Sequence, residues 1–280
     1  MTCSLCGTPG ARFLFERRKH AFIQHERPFV YYGCGRCGVR FQPIEERRVD
    51  PYLEEKQVTA PDAPDAARGY LHWDRDIARA LWRRLPGGRL LDFGSGWGDM
   101  LTAAREVGYQ AEGLDISPEL ARQAKARSGC PVFVGALTDA GYPPDAFRVI
   151  NAHFVLEYVH DLTATVREMA RLLEPGGLLR VCAYTWDSLP ARLRGERWWN
   201  YAPMREYVFS TRTWQFLAET SGLTLSEVIV GAEQSLASYL AERHRPTPLT
   251  STLDLGRYYL RNGLAFTSCR AFYLEKPASG

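Results

Sequence analysis

Leu90-Leu91-Asp92-Phe93-Gly94-Ser95-Gly96-Trp97-Gly98 is the stretch that decides the fold. A short apolar run, Leu90 to Phe93, ends in three glycines at alternate positions, and Asp99 to Val107 continues with helical spacing. A strand that passes through small residues into a helix lets a ligand approach the backbone closely. The first N–H groups of the helix have no intrahelical partner and face that ligand. Asp115 closes the next apolar run, 21 residues after Gly94. A carboxylate there can accept hydrogen bonds from both hydroxyls of a ribose.

The same alternation extends outward. Strands are expected at Leu90–Phe93, Ala111–Ile116, Pro131–Val134, Phe147–His153 and Leu178–Tyr184, with helices at Asp99–Val107, Pro118–Arg127 and Leu162–Leu173 between them. An amphipathic helix over Asp65–Leu85 precedes them, with Tyr70, Trp73, Ile77, Leu81 and Leu85 at steps of three or four. A helix over Ser210–Ser221 and strands over Leu223–Val230 and Ala265–Leu274 follow. This order predicts an α/β fold with a doubly wound, mostly parallel, Rossmann-like sheet covered on both faces. Ligands of such sheets bind at the carboxyl ends of the strands.

The ligand class follows from charge. The residue after Gly98 is Asp99, so the glycine pattern of a dinucleotide site is incomplete, and an acid at the helix start repels a pyrophosphate. A Walker Gly-Lys-Ser/Thr sequence is absent. A cationic ligand with an amino-acid tail fits better, with Asp92 attracting its charge.

These residues resemble the class I S-adenosylmethionine-dependent methyltransferases over 90–185. Leu91 to Gly98 is similar to the first motif of that family and Leu114-Asp115-Ile116 to its second. Gly135-Ala136-Leu137-Thr138 stands where the family contacts adenine. Phe154 to Val159 with Asp161, and Leu172 to Gly177, match the segments flanking its fourth and fifth strands. The resemblance implies S-adenosylmethionine as cofactor, held by Tyr70, Asp92, Gly94, Ser95, Gly96, Asp115, Ile116, Ala136, Leu137 and His153. It implies methyl transfer to an oxygen or carbon of a small-molecule acceptor, a sugar or biosynthetic intermediate. One departure matters. The family commonly has Glu-His after strand four, and this chain has Glu157-Tyr158, so a histidine's role does not carry over to 158.

An oxygen or acidic-carbon acceptor needs a base within about 3 Å. His153, Glu157 and Tyr158 are the catalytic candidates, followed by Tyr184 and Tyr201. His153, ending strand four beside the cofactor, is the first choice; Glu157 reads as readily as a salt-bridged or capping residue.

Ahead of this domain stand Cys3-Ser-Leu-Cys6-Gly7 and Cys34-Gly-Arg-Cys37-Gly38. Paired Cys-x-x-Cys turns joined by β-rich runs are the layout of a zinc ribbon, with Cys3, Cys6, Cys34 and Cys37 as metal ligands. Four thiolates leave no open coordination position, so the zinc is expected to be structural. The pairs resemble those that precede the same domain in bacterial methyltransferases of glycan and natural-product gene clusters. Cys130, Cys182 and Cys269 read as small buried hydrophobes.

The expected organisation is a zinc-ribbon-like module over 1–42, a proline-bearing linker over 43–64, and the cofactor domain over 65–280. Cap insertions are expected at about 186–210 and 234–262. The first of these carries Trp186, Trp198, Trp199, Tyr201 and Tyr207, which either roof an acceptor pocket or pack the loop down. The 280 residues are 45% hydrophobic and 24% charged, a globular composition, with no apolar run of membrane-spanning length. No leader-like apolar segment opens the chain, and the cysteine pattern suits a reducing compartment, so a cytoplasmic protein without a membrane partner is expected. A basic run at Arg17, Arg18, Lys19 and His20 admits a competing reading, an RNA methyltransferase docking through its ribbon. A net charge of +3 argues against a nucleic-acid partner. A non-catalytic binding protein is a third reading, disfavoured by the intact Gly94, Gly96 and Asp115.

Overall fold

The computed structural model describes residues 1–19, 28–43, 71–231, 233 and 267–278. Tyr70, nearly all of the expected linker and the expected cap at 234–262 lie outside the described residues.

The central sheet has seven strands. In chain order they are β4 (Arg89–Phe93), β5 (Gln110–Asp115), β6 (Val132–Val134), β7 (Phe147–His153), β8 (Leu173–Tyr184), β10 (Thr224–Val230) and β11 (Cys269–Glu275). Their spatial order is β10-β11-β8-β7-β4-β5-β6. Strands β4 to β8 pair in parallel, and β11 lies antiparallel between β10 and β8. This is the mostly parallel, Rossmann-like sheet of the class I methyltransferase fold. The chain leaves the β6 edge and returns beside β4 as β7, so the strand order reverses between β4 and β7. A crevice opens at the carboxyl ends of such a reversal.

Alternation along the strands assigns the two faces. Leu91, Phe93, Ile150, Ala152, Leu179, Val181, Phe272 and Leu274 point into one apolar cluster. They meet Val166 and Met169 of α4 (Leu162–Leu172) and Trp214 and Leu217 of α6 (Thr211–Thr220) there. Leu90, Val149, Leu178, Ala271 and Tyr273 point the other way. They pack on Ile77 and Leu81 of α1 (Leu71–Arg84), Met100 and Leu101 of α2 (Asp99–Val107) and Ala124 of α3 (Pro118–Ser128). Local chemistry sets the helix ends. Gly98 precedes α2 at φ 79°, a left-handed conformation that glycine adopts without strain, and the Ser117 hydroxyl caps α3 by accepting from Leu120 N–H. The first residues of the expected Asp65–Leu85 helix lie outside the described residues, and α1 runs from Leu71 to Arg84. One boundary differs from expectation: β8 begins at Leu173, with Glu174-Pro-Gly-Gly177 looping out where its register with β7 slips.

The N-terminal residues form β1 (Arg12–Arg17), β2 (Phe29–Gly33) and β3 (Arg40–Phe41), and this antiparallel sheet is completed by β9 (Tyr207–Val208). Hydrogen bonds therefore cross the expected boundary at residue 42. Phe15, Phe29 and Tyr31 pack on Trp198, Tyr201 and Val208, so much of the aromatic segment after β8 serves packing. A short helix, α5 (Leu189–Arg194), lies within that segment. Among the described residues, no helix is long and apolar enough to cross a membrane.

Candidate functional site

The glycine turn is tied to the neighbouring strand: Gly94 N–H and Ser95 N–H both donate to Leu114 O, at 2.8 and 3.0 Å. Gly94 sits at φ 74°, and a Cβ there would lie 2.5 Å from Val155 Cγ2, so no other residue fits. Gly96 also has positive φ, but a Cβ there would meet nothing within 4 Å. That side of Gly96 is open. Asp115 is buried and aimed: Gly96 N–H donates to Oδ2 and Ser117 N–H to Oδ1, each at 2.9 Å. Burial pushes this carboxyl up while those N–H groups pull it back. Each oxygen retains a lone pair for a ribose hydroxyl. Ile116 beside it is 64% exposed, an apolar surface for a flat ring. Ser95 Oγ is buried with no partner, an orphan that a ligand would satisfy. Ala136 precedes a single 3₁₀ turn, and Leu137 is buried in the core cluster, so only its backbone can face a ligand.

Asp92 belongs to a polar row that crosses the sheet. Asp92, Asn151, Arg180 and Tyr273 are register partners on four adjacent strands. Asn151 Nδ2 donates to Asp92 Oδ1 at 2.7 Å, and Arg180 Nη1 donates to Asn151 Oδ1 at 2.8 Å. Arg180 Nε donates to Glu233 Oε2 at 3.0 Å, and Tyr273 OH donates to Glu233 Oε1. Burial above all, and then Asp74 and Asp115 nearby, push Asp92 up to about 7.

His153, the last residue of β7, stands 3.8 Å through Nδ1 from Asp74 Oδ1 on α1. Its ring meets Trp73 edge-on at 4.7 Å and lies against Phe154 at 4.6 Å, and its Nε2 is buried without a partner. Phe154, at φ 53°, stacks on Tyr184 at 4.6 Å. Glu157 takes a different course. It is fully buried with Oε1 3.3 Å from Arg205 Nη1, and the same guanidinium covers the Tyr158 and Tyr184 rings. Burial pushes the Glu157 carboxyl up, and Arg205 opposes it.

The structure thus gathers Asp92, Gly94, Ser95, Gly96, Asp115 and His153 at the carboxyl ends of β4, β5 and β7. It turns Glu157 and Tyr158 into the Arg205 cluster. Sequence reasoning missed Asp74, Asn151, Arg180 and Glu233. The signal for Arg180 was present, since it interrupts the apolar run Leu178 to Ala183, whereas Asn151 shares its strand with Arg148 and His153.

The four cysteines converge. Cys3 Sγ is 3.7 Å from Cys37 Sγ and Cys6 Sγ is 3.6 Å from Cys34 Sγ, and all four sulfurs lie within 4.8 Å of one another. A tetrahedral ion with Zn–S near 2.3 Å needs sulfurs about 3.8 Å apart, so the set fits zinc. Gly7 N–H donates to Cys3 O and Gly38 N–H to Cys34 O, which makes two equivalent turns. Past the second, Gly38 O accepts from Trp186 Nε1 at 2.8 Å and Ser210 Oγ at 3.1 Å. Arg40 covers the Trp186 ring at 3.9 Å, and Gln42 Nε2 and Tyr31 OH both donate to Arg205 O. The cysteine turns and the strands beside them therefore brace the loop that carries Arg205.

Known proteins agree with this architecture. A family profile described as Methyltransferase domain matches residues 66–228. A ubiquinone biosynthesis O-methyltransferase of Xanthomonas campestris is 36% identical over 125 residues, covering 42% of this chain and 51% of that protein. A demethylmenaquinone methyltransferase of Mycobacterium marinum is 32% identical over 114 residues, covering 41% and 48%. The chain thus spans about half the length of the curated relatives it matches. Among solved structures, phosphoethanolamine N-methyltransferase 2 of Haemonchus contortus, in complex with S-adenosyl-L-methionine, superposes with a TM-score of 0.57. It is 18% identical, with 81% of this chain and 59% of that one covered. A chain from the complex of the Haloferax volcanii Trm112 methyltransferase activator with a putative methyltransferase gives a TM-score of 0.59 at 21% identity, covering 80% and 98%. These last two likenesses speak to the fold. Because the family profile spans more than half of its residues, on a sheet and glycine turn of the matching kind, the chain belongs to the methyltransferase domain family.

Proposed function

We propose that this protein transfers a methyl group from S-adenosylmethionine to an oxygen or carbon of a small-molecule acceptor. The observation that carries the reading is Asp115, buried and held by two N–H donors beside the open side of Gly96. The quinone-biosynthesis relatives support an acceptor of small-molecule size.

In this reading Asp115 takes the ribose hydroxyls, Ile116 and the backbone at Ala136 and Leu137 border the adenine, and Gly94 to Gly96 wrap the amino-acid tail. The bound cofactor supplies a methyl group on an already activated sulfonium. The protein's own task is then placement, which can contribute roughly 7–11 kcal/mol of the barrier. His153 is the proton acceptor: its buried, unpartnered Nε2 is free to take a proton from an acceptor hydroxyl or acidic C–H. Asp74 lies 3.8 Å from Nδ1, on the side of the ring away from Nε2. Glu157 and Tyr158 shape the acceptor wall through Arg205 and do not exchange protons with the acceptor. Cys3, Cys6, Cys34 and Cys37 hold a structural zinc.

Calorimetric titration with S-adenosylmethionine, followed by a radiolabelled methyl-transfer screen over hydroxylated and enolisable small molecules, tests the reading. The purified protein should bind the cofactor, and Asp115→Ala should weaken that binding at least about tenfold, or roughly 1.4 kcal/mol. Unaltered affinity in Asp115→Ala would mean that the ribose contact is misassigned. Failure of the folded wild-type protein to bind would end the methyltransferase reading.

A further inference from the structure

One carboxyl in the crevice stands apart. Asp74, in the first turn of α1, is 6% exposed and makes no hydrogen bond among the described residues. Its nearest cationic candidate, His153 Nδ1, lies at 3.8 Å, beyond hydrogen-bond reach.

The charged and titratable groups around it come from several elements: Asp92 of β4, Asp99 of α2, His153 of β7 and Arg180 of β8. Asp115 of β5, Cys182 of β8, Glu233 after β10 and Tyr273 of β11 stand one neighbour further, against Asp92, His153 and Arg180. The cations among them are engaged. Arg127 of α3 donates to Asp99 at 2.7 Å, and Arg180 is shared between Glu233 and Asn151. Asp92 and Asp115 accept hydrogen bonds from Asn151, Gly96 and Ser117. Among the described residues Asp74 accepts no hydrogen bond; it has only the field of Arg180 and the His153 ring at 3.8 Å to offset its burial. A buried carboxyl in that position is an unfilled demand for positive charge. A second orphan, His153 Nε2, flanks the same space from the end of β7, where the acceptor would be deprotonated.

We propose that Asp74 is the counter-ion of the cofactor's sulfonium, so that the site holds the charged methyl donor more tightly than the neutral thioether left after transfer. The inference rests on the methyl-transfer reading and adds to it the means by which spent cofactor is released. The tail ammonium is common to donor and product, whereas the sulfonium is unique to the donor. In the methyl-transfer reading, in which Gly94 to Gly96 take the tail and His153 takes the proton, the contact of Asp74 with His153 puts it at the reacting end.

A titration signature follows. Burial pushes Asp74 up to about 7. A carboxyl raised this way is largely protonated below that pH in the empty site, and a cation beside it favours the ionised form. Arrival of the sulfonium therefore expels a proton, and affinity for the donor climbs as pH rises through 7. The thioether product exerts no such pull.

The test is calorimetric titration of the zinc-loaded full chain with S-adenosylmethionine and with S-adenosylhomocysteine, between about pH 6 and about pH 8. Buffers of differing ionisation enthalpy count the released protons. Wild type should release more protons with the donor than with the product, and the donor's affinity should rise more steeply with pH. In Asp74→Asn the donor's affinity should fall about tenfold and the product's by less than about threefold, with the extra pH slope gone. Equal losses for both ligands would assign Asp74 to the shared ammonium and overturn the proposal. Equal pH slopes in wild type would overturn it without recourse to any variant. If neither ligand binds the folded wild-type protein, the methyl-transfer reading fails with it; if both bind alike, only this inference fails.

Discussion

Arg180→Met should lower the stability of the domain by about 3–5 kcal/mol, the range for breaking a buried ion pair by removing one partner. Arg180 has no exposed side-chain surface and sits in the middle of the sheet between β7 and β11. It donates to Glu233 on one side and to Asn151 on the other, and through Asn151 it orders Asp92. Methionine matches the volume but offers no donor. Glu233 would then be buried without a cation, held only by Tyr273 OH, the Asn151 carbonyl would lose its donor, and Asp92 and Asp74 would lose the cation whose field opposes their burial. Urea unfolding followed by circular dichroism measures the loss. Arg180→Met/Glu233→Gln should recover part of it, because the stranded charge is gone. A loss under about 1 kcal/mol in the single variant would mean that the row is not a coupled network.

The row also shows where sequence reading stops. The elements of the sheet were legible because each carries its own local signal. Apolar runs break at glycine or proline, Ser117 and Asp161 stand at helix starts, and Gly94 to Gly98 make the turn. The proposed cofactor face rests on the same kind of local signal, since Asp92, Gly94, Gly96 and Asp115 lie within one strand-helix-strand unit. Asn151 and Arg180, 29 residues apart, become neighbours only once parallel register is set. Register depends on the packing of whole strands rather than on either residue. Asp74 looked like an ordinary polar position on an amphipathic helix; its neighbours come from other elements. The two-residue strand β9 had no readable pattern at all. It exists because β3, more than 160 residues earlier, presents an edge that Tyr207 and Val208 complete. Trp198 and Tyr201 were ambiguous between pocket and packing, and the N-terminal sheet claims both.

That shared sheet governs what loss of the metal should do. In Cys37→Ser the fully buried sulfur beside Cys3 is replaced by a hydroxyl that binds zinc poorly. Zinc content, measured by atomic emission, should fall from one ion per chain towards zero. In small zinc-dependent peptides the metal supplies roughly 10–16 kcal/mol of folding free energy. Here the loss should be smaller, because Leu5, Val39 and Phe41 also join the main apolar cluster and Thr163 Oγ1 donates to Leu5 O. The damage should follow the hydrogen bonds outward. Gly38 O would release Trp186 and Ser210, and Gln42 and Tyr31 would loosen their hold on the carbonyls of Ala202 and Arg205. Amide exchange over 201–209 should then quicken at least about tenfold, since local opening free energy sets protection. The cofactor crevice, built from the glycine turn and the ends of β4, β5 and β7, makes none of these bonds. S-adenosylhomocysteine affinity should therefore change by less than about threefold. Unchanged zinc content would remove the four-cysteine site. Zinc loss with undisturbed exchange over 201–209 would reduce the module to a separate ornament. Zinc loss that quickens exchange there while the cofactor still binds would make the metal a brace for the acceptor wall.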